Sequence, residues 1–284
     1  MSSEGRSFEL RAADGVRLAG RSWMPPTLRA VVAVVHGLAE HSGRYAFLAE
    51  RANHSGLGVV SVDLRGHGRS PGERSYVERF DDYLLDVDEL LAKAHQLAAG
   101  RPVFLMGHSM GGAIALRWMV QRRQLVAGLI LSSAALKIGG DVPRLLVALA
   151  PLLSRWLPHL RGKRIDPTLI SRDPAAVAAY VGDPLVSLLA PPARTGAELL
   201  SAMAANRAAV PGLAVPVYLF HGDADRLTDP AGSREIYGLW GGPDRTLRLW
   251  LGSRHETLND LDREAVAAEL LEWMLARCQP LVGV

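Results

Sequence analysis

The stretch Pro102 to Gly112 (PVFLMGHSMGG) limits what this chain can fold into more than any other, because an apolar run stops abruptly at a serine flanked by glycines. Val103 to Met106 suits a short buried strand and Ala113 to Val120 suits a helix of about two turns, so the serine falls in the turn between them. Gly107-His108-Ser109-Met110-Gly111 fits G-x-S-x-G, the nucleophile elbow, in which a strained strand-to-helix turn lifts a serine hydroxyl above a sheet. The glycines have a steric reason to be there: strand and helix pass so close on either side of Ser109 that a Cβ at Gly107 or Gly111 would crowd the turn.

The rest of the chain supplies the sheet that such a turn needs. Val31 to Val35 is a continuous β-branched run, as expected of a parallel strand covered on both faces, Leu57 to Val62 reads as the next buried strand, and Val126 to Leu131, Val215 to Phe220 and Arg245 to Leu251 read as further strands of the same sheet. Helical patterns alternate with them at Tyr45 to His54, Phe80 to Ala99, from about Asp229, and at Leu261 to Arg277. Ser7 to Met24 alternates around Asp14-Gly15, which predicts an antiparallel hairpin at the sheet edge. From about Ala134 to Leu213 the rhythm breaks. Pro143 to Leu160 is apolar almost all round, Asp173-Pro174 opens a second helix, and Thr195 to Ala209 forms a third. The expectation is an α/β fold with a mostly parallel sheet and an N-terminal antiparallel hairpin, its core made of residues 1–133 and 214–284, with 134–213 inserted as a helical cap.

Charge and composition exclude several classes of function. Among 284 residues, 32 cations stand against 29 anions and are spread along the chain, too weak an excess for a nucleic-acid footprint. Arg122-Arg123 and Arg161 to Arg164 read as solvated helix ends or loops, and no nucleic-acid partner is expected. Asp81, Asp82, Asp86, Asp88 and Glu89 crowd the first half of a helix; they read as its water-facing side rather than a metal cluster, and no metal is expected. Cys278 is the only cysteine, so no intramolecular disulfide can form. The first residues lack the apolar core of a signal peptide and no run of about 18 apolar residues occurs, so the expected location is cytoplasmic.

A serine hydroxyl attacks well only when a base takes its proton and a third group holds that base in the right tautomer. In α/β-hydrolases the order along the chain is Ser, acid, His, and after Gly222 the chain has one histidine, His255, in the loop following the last strand run. Three acids lie in HGDADRLTDP: Asp229 before Pro230 is explained as a helix N-cap, Asp223 sits close to the strand end, and Asp225, in mid-loop, is the preferred partner. The oxyanion hole needs two backbone donors; the Met110 N–H follows from the elbow, and the Leu38 N–H from the loop His36-Gly37-Leu38-Ala39 is the second. His36 and His108 flank these donors in a supporting hydrogen-bonding role.

Taken together, HGLAEHSGRY at His36 to Tyr45, DLRGHGRS at Asp63 to Ser70, GHSMGG at Gly107 to Gly112, HGDADRLTDP and the late His255 resemble the monoacylglycerol lipase and lysophospholipase group of α/β-hydrolases. The resemblance covers almost the whole sheet region, while 134–213 matches only as a helical insertion. It implies an α/β-hydrolase fold; a Ser109, Asp225 and His255 triad; Leu38 and Met110 as oxyanion donors; and a cap that forms a lid over an acyl channel. It also implies a cofactor-free serine esterase acting on monoacylglycerols or other single-chain esters through an acyl-enzyme, and treats the Asp63 to Ser70 loop as structural. The apolar cap suits that substrate. Leu145, Leu149, Leu153 and Trp156 are its candidate channel residues, and transient contact with a membrane or micelle is expected through the same helix, unless the cap simply buries it. Three other readings compete: a small-ester carboxylesterase; a proline iminopeptidase-like aminopeptidase, which would need Asp141, Asp166, Asp173, Asp183 or Glu198 to hold a free amino terminus; and a non-catalytic binding protein on the same fold.

Overall fold

The computed structural model describes residues 5–122, 126–140, 143–162 and 164–278; Arg123, Asp141 and Lys163, singled out above, lie outside them. Eight strands form one sheet: β1 Arg6–Arg11, β2 Arg17–Trp23, β3 Ala30–Val35, β4 Leu57–Val62, β5 Val103–His108, β6 Gly128–Ser132, β7 Val217–Gly222 and β8 Arg245–Trp250, in the spatial order β1-β2-β4-β3-β5-β6-β7-β8. The β1–β2 and β2–β4 pairs are antiparallel and the others parallel. The hairpin forms with Arg11 opposite Arg17, but its loop spans 12–16, closed by Ala12 N–H donating to the Val16 carbonyl at 2.8 Å, with Gly15 at φ 89°. Asp14-Gly15 is therefore part of a wider turn than a two-residue hairpin loop.

Side chains of the central strands alternate between two apolar cores. Val31, Ala33 and Val35 of β3 join the core beneath α2 (Asp82–Ala98) and α3 (Met110–Arg122), while Ala30, Val32 and Val34 face α1 (Ala46–His54) and α8 (Arg263–Leu275). With both faces covered, β3, β4 and β5 read as unbroken buried runs. The chain leaves β3 on one side for β4 and returns on the other for β5. The crevice at their carboxyl ends is the switch point where such sheets bind ligands. Val35 pairs with Gly107, so the loop after β3 and the turn after β5 emerge side by side.

Several boundaries and one environment differ from the sequence expectation. Helix α3 starts at Met110, directly after Ser109 and ahead of the Ala113 to Val120 run; Gly111-Gly112 carries no apolar period by which the pattern could show that first turn. Strand β7 starts at Val217, after Pro216, which has no N–H to give the sheet. Asp86 does not face water: it is fully buried, taking both the Arg65 side chain and the Arg65 backbone N–H, and Arg65 reaches on to Asp14 in the hairpin loop. Asp81 and Asp88 are held by Arg117 and Arg122 of α3.

Between β6 and β7 lie α4 (Arg144–Trp156), α5 (Pro174–Gly182) and α6 (Ala193–Ala209), and the described residues between these two strands form no further strand. α4 packs on α6, and α6 on α3. α4 ends before Leu157 because Pro158 disfavours helical geometry in the residue preceding it, and Leu157 has left the helix at φ −136°. The helix is not buried all round: Leu145 and Trp156 are 70% and 69% exposed, and Leu146, Leu149, Leu152, Leu157 and Leu160 are exposed with them. No described helix is long and apolar enough to cross a membrane.

Candidate active site

Ser109 sits at φ 52°, in the left-handed region that a serine rarely adopts, and the surroundings hold it there. Its N–H donates to the Ser132 carbonyl at 3.0 Å, and its own carbonyl accepts from Ala135 N–H at 2.8 Å and from Gly112 N–H at 3.0 Å. A Cβ on Gly107 would meet the Gly111 carbonyl oxygen at 2.2 Å, and one on Gly111 would meet the Val35 carbonyl oxygen at 2.2 Å. Both glycines are thus required by backbone contact, and Ser109 remains the exposed point of the turn, half-buried among buried neighbours.

Asp225 and His255 meet from separate loops. His255 Nδ1 donates to Asp225 Oδ2 at 2.7 Å, so the other ring nitrogen, Nε2, is left without a proton in the neutral ring. The carboxylate is pinned from every side: Oδ2 also accepts from Thr228 Oγ at 2.8 Å and His221 Nε2 at 3.0 Å, and Oδ1 accepts from the N–H groups of Leu227 at 2.8 Å and Thr228 at 3.1 Å. Burial alone would raise the Asp225 pKa, but the adjacent histidines and donors outweigh it and hold the carboxyl far below the carboxylate range. At His255 burial disfavours the imidazolium, yet the Asp225 carboxylate prevails and lifts the ring above its ordinary value of 6.5.

The other two acids of that loop are engaged elsewhere. Asp229 caps α7 (Pro230–Leu239) by accepting from Ala231 N–H at 2.8 Å, and Asp223, exposed, accepts from Gly252 N–H at 2.6 Å.

The Leu38 and Met110 N–H groups donate to no other group among the described residues, Met110 because the first turn of a helix has no intrahelical acceptor. The turn 37–40 that carries Leu38 is closed by Gly37 N–H donating to Glu40 Oε1 at 2.6 Å, with Ala39 at φ 66°. His36 accepts from Leu64 N–H through Nε2 at 2.9 Å and donates from Nδ1 to the Gly37 carbonyl at 2.7 Å. His108 lies with its ring centroid 4.9 Å from that of His255 and its Nδ1 3.1 Å from Ser132 Oγ; burial, then the His255 charge, push its pKa down to about 4, so it stays neutral.

The segment between β6 and β7 touches both the loop after β3 and the loop after β8. Ser187 N–H donates to the Ala39 carbonyl at 2.8 Å, His41 Nε2 donates to Asp183 at 2.8 Å, Glu256 N–H donates to the Ile170 carbonyl at 2.8 Å, and Arg254 donates to the Thr168 carbonyl at 2.6 Å. Of the acids proposed to hold an amino terminus, Asp141 lies outside the described residues and the other four are committed. Asp166 caps the turn at Thr168, Asp173 caps α5, Asp183 takes His41, and Glu198 accepts from Phe80 N–H at 2.8 Å. Of the candidate channel residues, Leu145, Leu149 and Trp156 face outward and Leu153 is half-buried.

Sequence reasoning missed four contributors: Thr228, His221, Arg44 and Glu256. The signal for two of them lay in the four-residue spacings Glu40–Arg44 and His221–Asp225, and Arg44 proves to bridge Glu40 at 2.9 Å and Glu256 at 2.6 Å. Among the described residues no group of His, Cys, Asp and Glu is arranged to hold a metal ion.

Residues 26–262 match the family model Hydrolase_4, described as serine aminopeptidase, S33. The chain is 32% identical over 277 residues to the monoacylglycerol lipase of Mycolicibacterium smegmatis, covering 97% of this chain and 99% of that one. It is 36% identical over 269 residues to human monoglyceride lipase, covering 93% and 89%. The crystal structure of Paleococcus ferrophilus monoacylglycerol lipase superposes with a TM-score of 0.83 at 33% identity, covering 92% of this chain and 99% of the other.

Proposed function

The chain belongs to the Hydrolase_4 family (serine aminopeptidase, S33), and on that premise we propose that it hydrolyses monoacylglycerols or similar single-chain carboxylic esters through an acyl-enzyme on Ser109. The observations that carry the reading are a strained, part-exposed serine at the sheet's switch point and a histidine, in the loop after β8, whose Nδ1 proton is committed to a buried carboxylate. His255 Nε2 takes the Ser109 proton as the hydroxyl attacks the ester carbonyl. The Leu38 and Met110 N–H groups receive the developing oxyanion, and the imidazolium returns the proton to the departing alcohol. Water then repeats the sequence on the acyl-enzyme. Asp225 keeps the proton on Nδ1 and stabilises the imidazolium in both halves.

The segment 134–213 acts as a cap over the acyl chain. Half-buried Leu153 supplies apolar contact, while outward Leu145, Leu149 and Trp156 meet a membrane or micelle surface. A filling channel gains up to about 0.8 kcal/mol per methylene, roughly a fourfold step in apparent binding per carbon. Accordingly kcat/KM for p-nitrophenyl esters from acetate to palmitate, below their micelle concentrations, should climb with chain length, and Leu153→Asn should flatten that climb more than it slows acetate. A series that peaks at acetate would replace this reading with a small-ester esterase. The family description keeps one rival in play, aminopeptidase action, and turnover of an aminoacyl anilide faster than of any ester would favour it.

A further inference from the structure

Behind His255 lies a charged cluster that the proposed chemistry does not use. Arg44 donates from Nη1 to Glu40 Oε2 at 2.9 Å and grips Glu256 with two parallel bonds, Nη1 to Oε1 at 2.6 Å and Nη2 to Oε2 at 2.7 Å. The cluster is nearly dry: the side chains of Arg44, Glu40 and Glu256 are 11%, 5% and 6% exposed. Its two carboxylates belong to the two loops that must hold one spacing for ester cleavage. Glu40 closes the turn that carries Leu38, taking Gly37 N–H at 2.6 Å and Tyr45 Oη–H at 2.9 Å, and Glu256 follows His255 directly. The guanidinium also lies 4.7 Å from the centre of the Tyr180 ring of α5, so the inserted segment covers the bridge.

We propose that Arg44 is a positioning residue for the reaction: by bridging Glu40 and Glu256 it locks the oxyanion turn to the histidine loop and cancels negative charge behind His255. The proposal rests on the Ser109 reading above. The groups that face His255 are Asp225 and Thr228 from the loop after β7, His108 from the end of β5, Glu256 from its own loop, and Glu40 with Arg44 from the connection after β3. Two carboxylates share one guanidinium there, so removing Arg44 leaves both uncompensated in a site that water scarcely reaches. A fork is needed as well as a charge, because a lysine ammonium cannot hold both oxygens of Glu256 while reaching Glu40.

The test compares Arg44→Met, Arg44→Lys and Arg44→Met/Glu256→Gln with the wild type. The readouts are kcat and the pH profile of kcat/KM on p-nitrophenyl butyrate, with near-ultraviolet circular dichroism to establish folding. Arg44→Met should move the acid limb upward by about one pH unit, because uncompensated carboxylates favour the imidazolium of His255, and lower the plateau kcat by about tenfold or more. Arg44→Lys should leave the limb in place and still lower the plateau. The double variant should bring the limb back toward its wild-type position while the plateau stays low, which a merely structural role for Arg44 would not produce. A folded Arg44→Met with an unmoved limb and a plateau within about twofold of wild type overturns the proposal. Should Arg44→Met fail to fold, a wild-type plateau in Arg44→Lys overturns it equally. Ser109→Ala separates the two claims: full activity there defeats the underlying reading, whereas its inactivity beside wild-type behaviour at position 44 defeats the positioning role alone.

Discussion

Exchanging Asp225 for asparagine separates the proposed acid from its neighbours, and the structure sets the size of the effect. Three donors converge on Oδ2, from His255, His221 and Thr228, and two backbone N–H groups converge on Oδ1. An amide can present oxygen to only one of these sets. The backbone donors cannot adapt, so the amide oxygen stays on their side and its NH2 faces the histidines. His255 then relieves the donor–donor clash by moving its proton from Nδ1 to Nε2, the atom that should accept the Ser109 proton. Locking the base in the wrong tautomer costs roughly 10⁴-fold in kcat, about 5.4 kcal/mol of barrier. Asp223→Asn is the control: its side chain takes only the Gly252 N–H from an exposed position, and asparagine keeps an acceptor oxygen, so a loss of about fivefold at most is expected. The assay is kcat on p-nitrophenyl butyrate at pH 8, with circular dichroism to show that both variants fold. A crippled Asp223→Asn beside a mild Asp225→Asn would refute the assignment.

Three further outcomes follow from the same contacts. If His255 is the base, as proposed, it must be neutral to act, and Asp225 lifts its pKa above 6.5, so kcat/KM measured from pH 5 to 9 should decline as pH falls through a value above 6.5; an acid limb below 6 contradicts this. Gly111→Ala places a Cβ 2.2 Å from the Val35 carbonyl oxygen and should cost about 4 kcal/mol in urea unfolding, while Gly238→Ala, with open space around it, should leave stability equal or slightly higher. Asp86→Ala strands the Arg65 guanidinium beneath α2 with the partly exposed Asp14 as its one remaining ion-pair partner among the described residues, and a loss of about 3 kcal/mol in the same titration is expected.

What the sequence made legible was whatever is encoded locally. The unbroken apolar runs of β3, β4 and β5 mark strands covered on both faces, and Gly107 and Gly111 mark a backbone approach that admits no Cβ. Ser109 could be proposed from the G-x-S-x-G spacing, His255 as the one histidine after Gly222, and Asp225 from its mid-loop place between the strand end and the Asp229 cap. Contacts between distant loops left no local trace: Arg44 and Glu256 are 212 residues apart, and nothing in the period of either segment announces a shared salt bridge. Asp86 misled because an acid in the first half of a helix normally faces water, and only the fold reveals Arg65 lying over it. α4 reads as apolar on every side, and sequence alone cannot decide between burial and a lipid-facing surface; its Leu145 and Trp156 prove to point outward.

The central claim, that Ser109 becomes acylated on the way to product, is tested most directly by intact-protein and peptide mass spectrometry after brief acid quench of the enzyme with a slowly deacylating p-nitrophenyl ester. The account predicts one acyl group per chain, carried by the peptide containing Ser109, formed at the rate of the p-nitrophenolate burst and absent from Ser109→Ala. An acyl group on any other residue, or a burst that persists undiminished in Ser109→Ala, would contradict it.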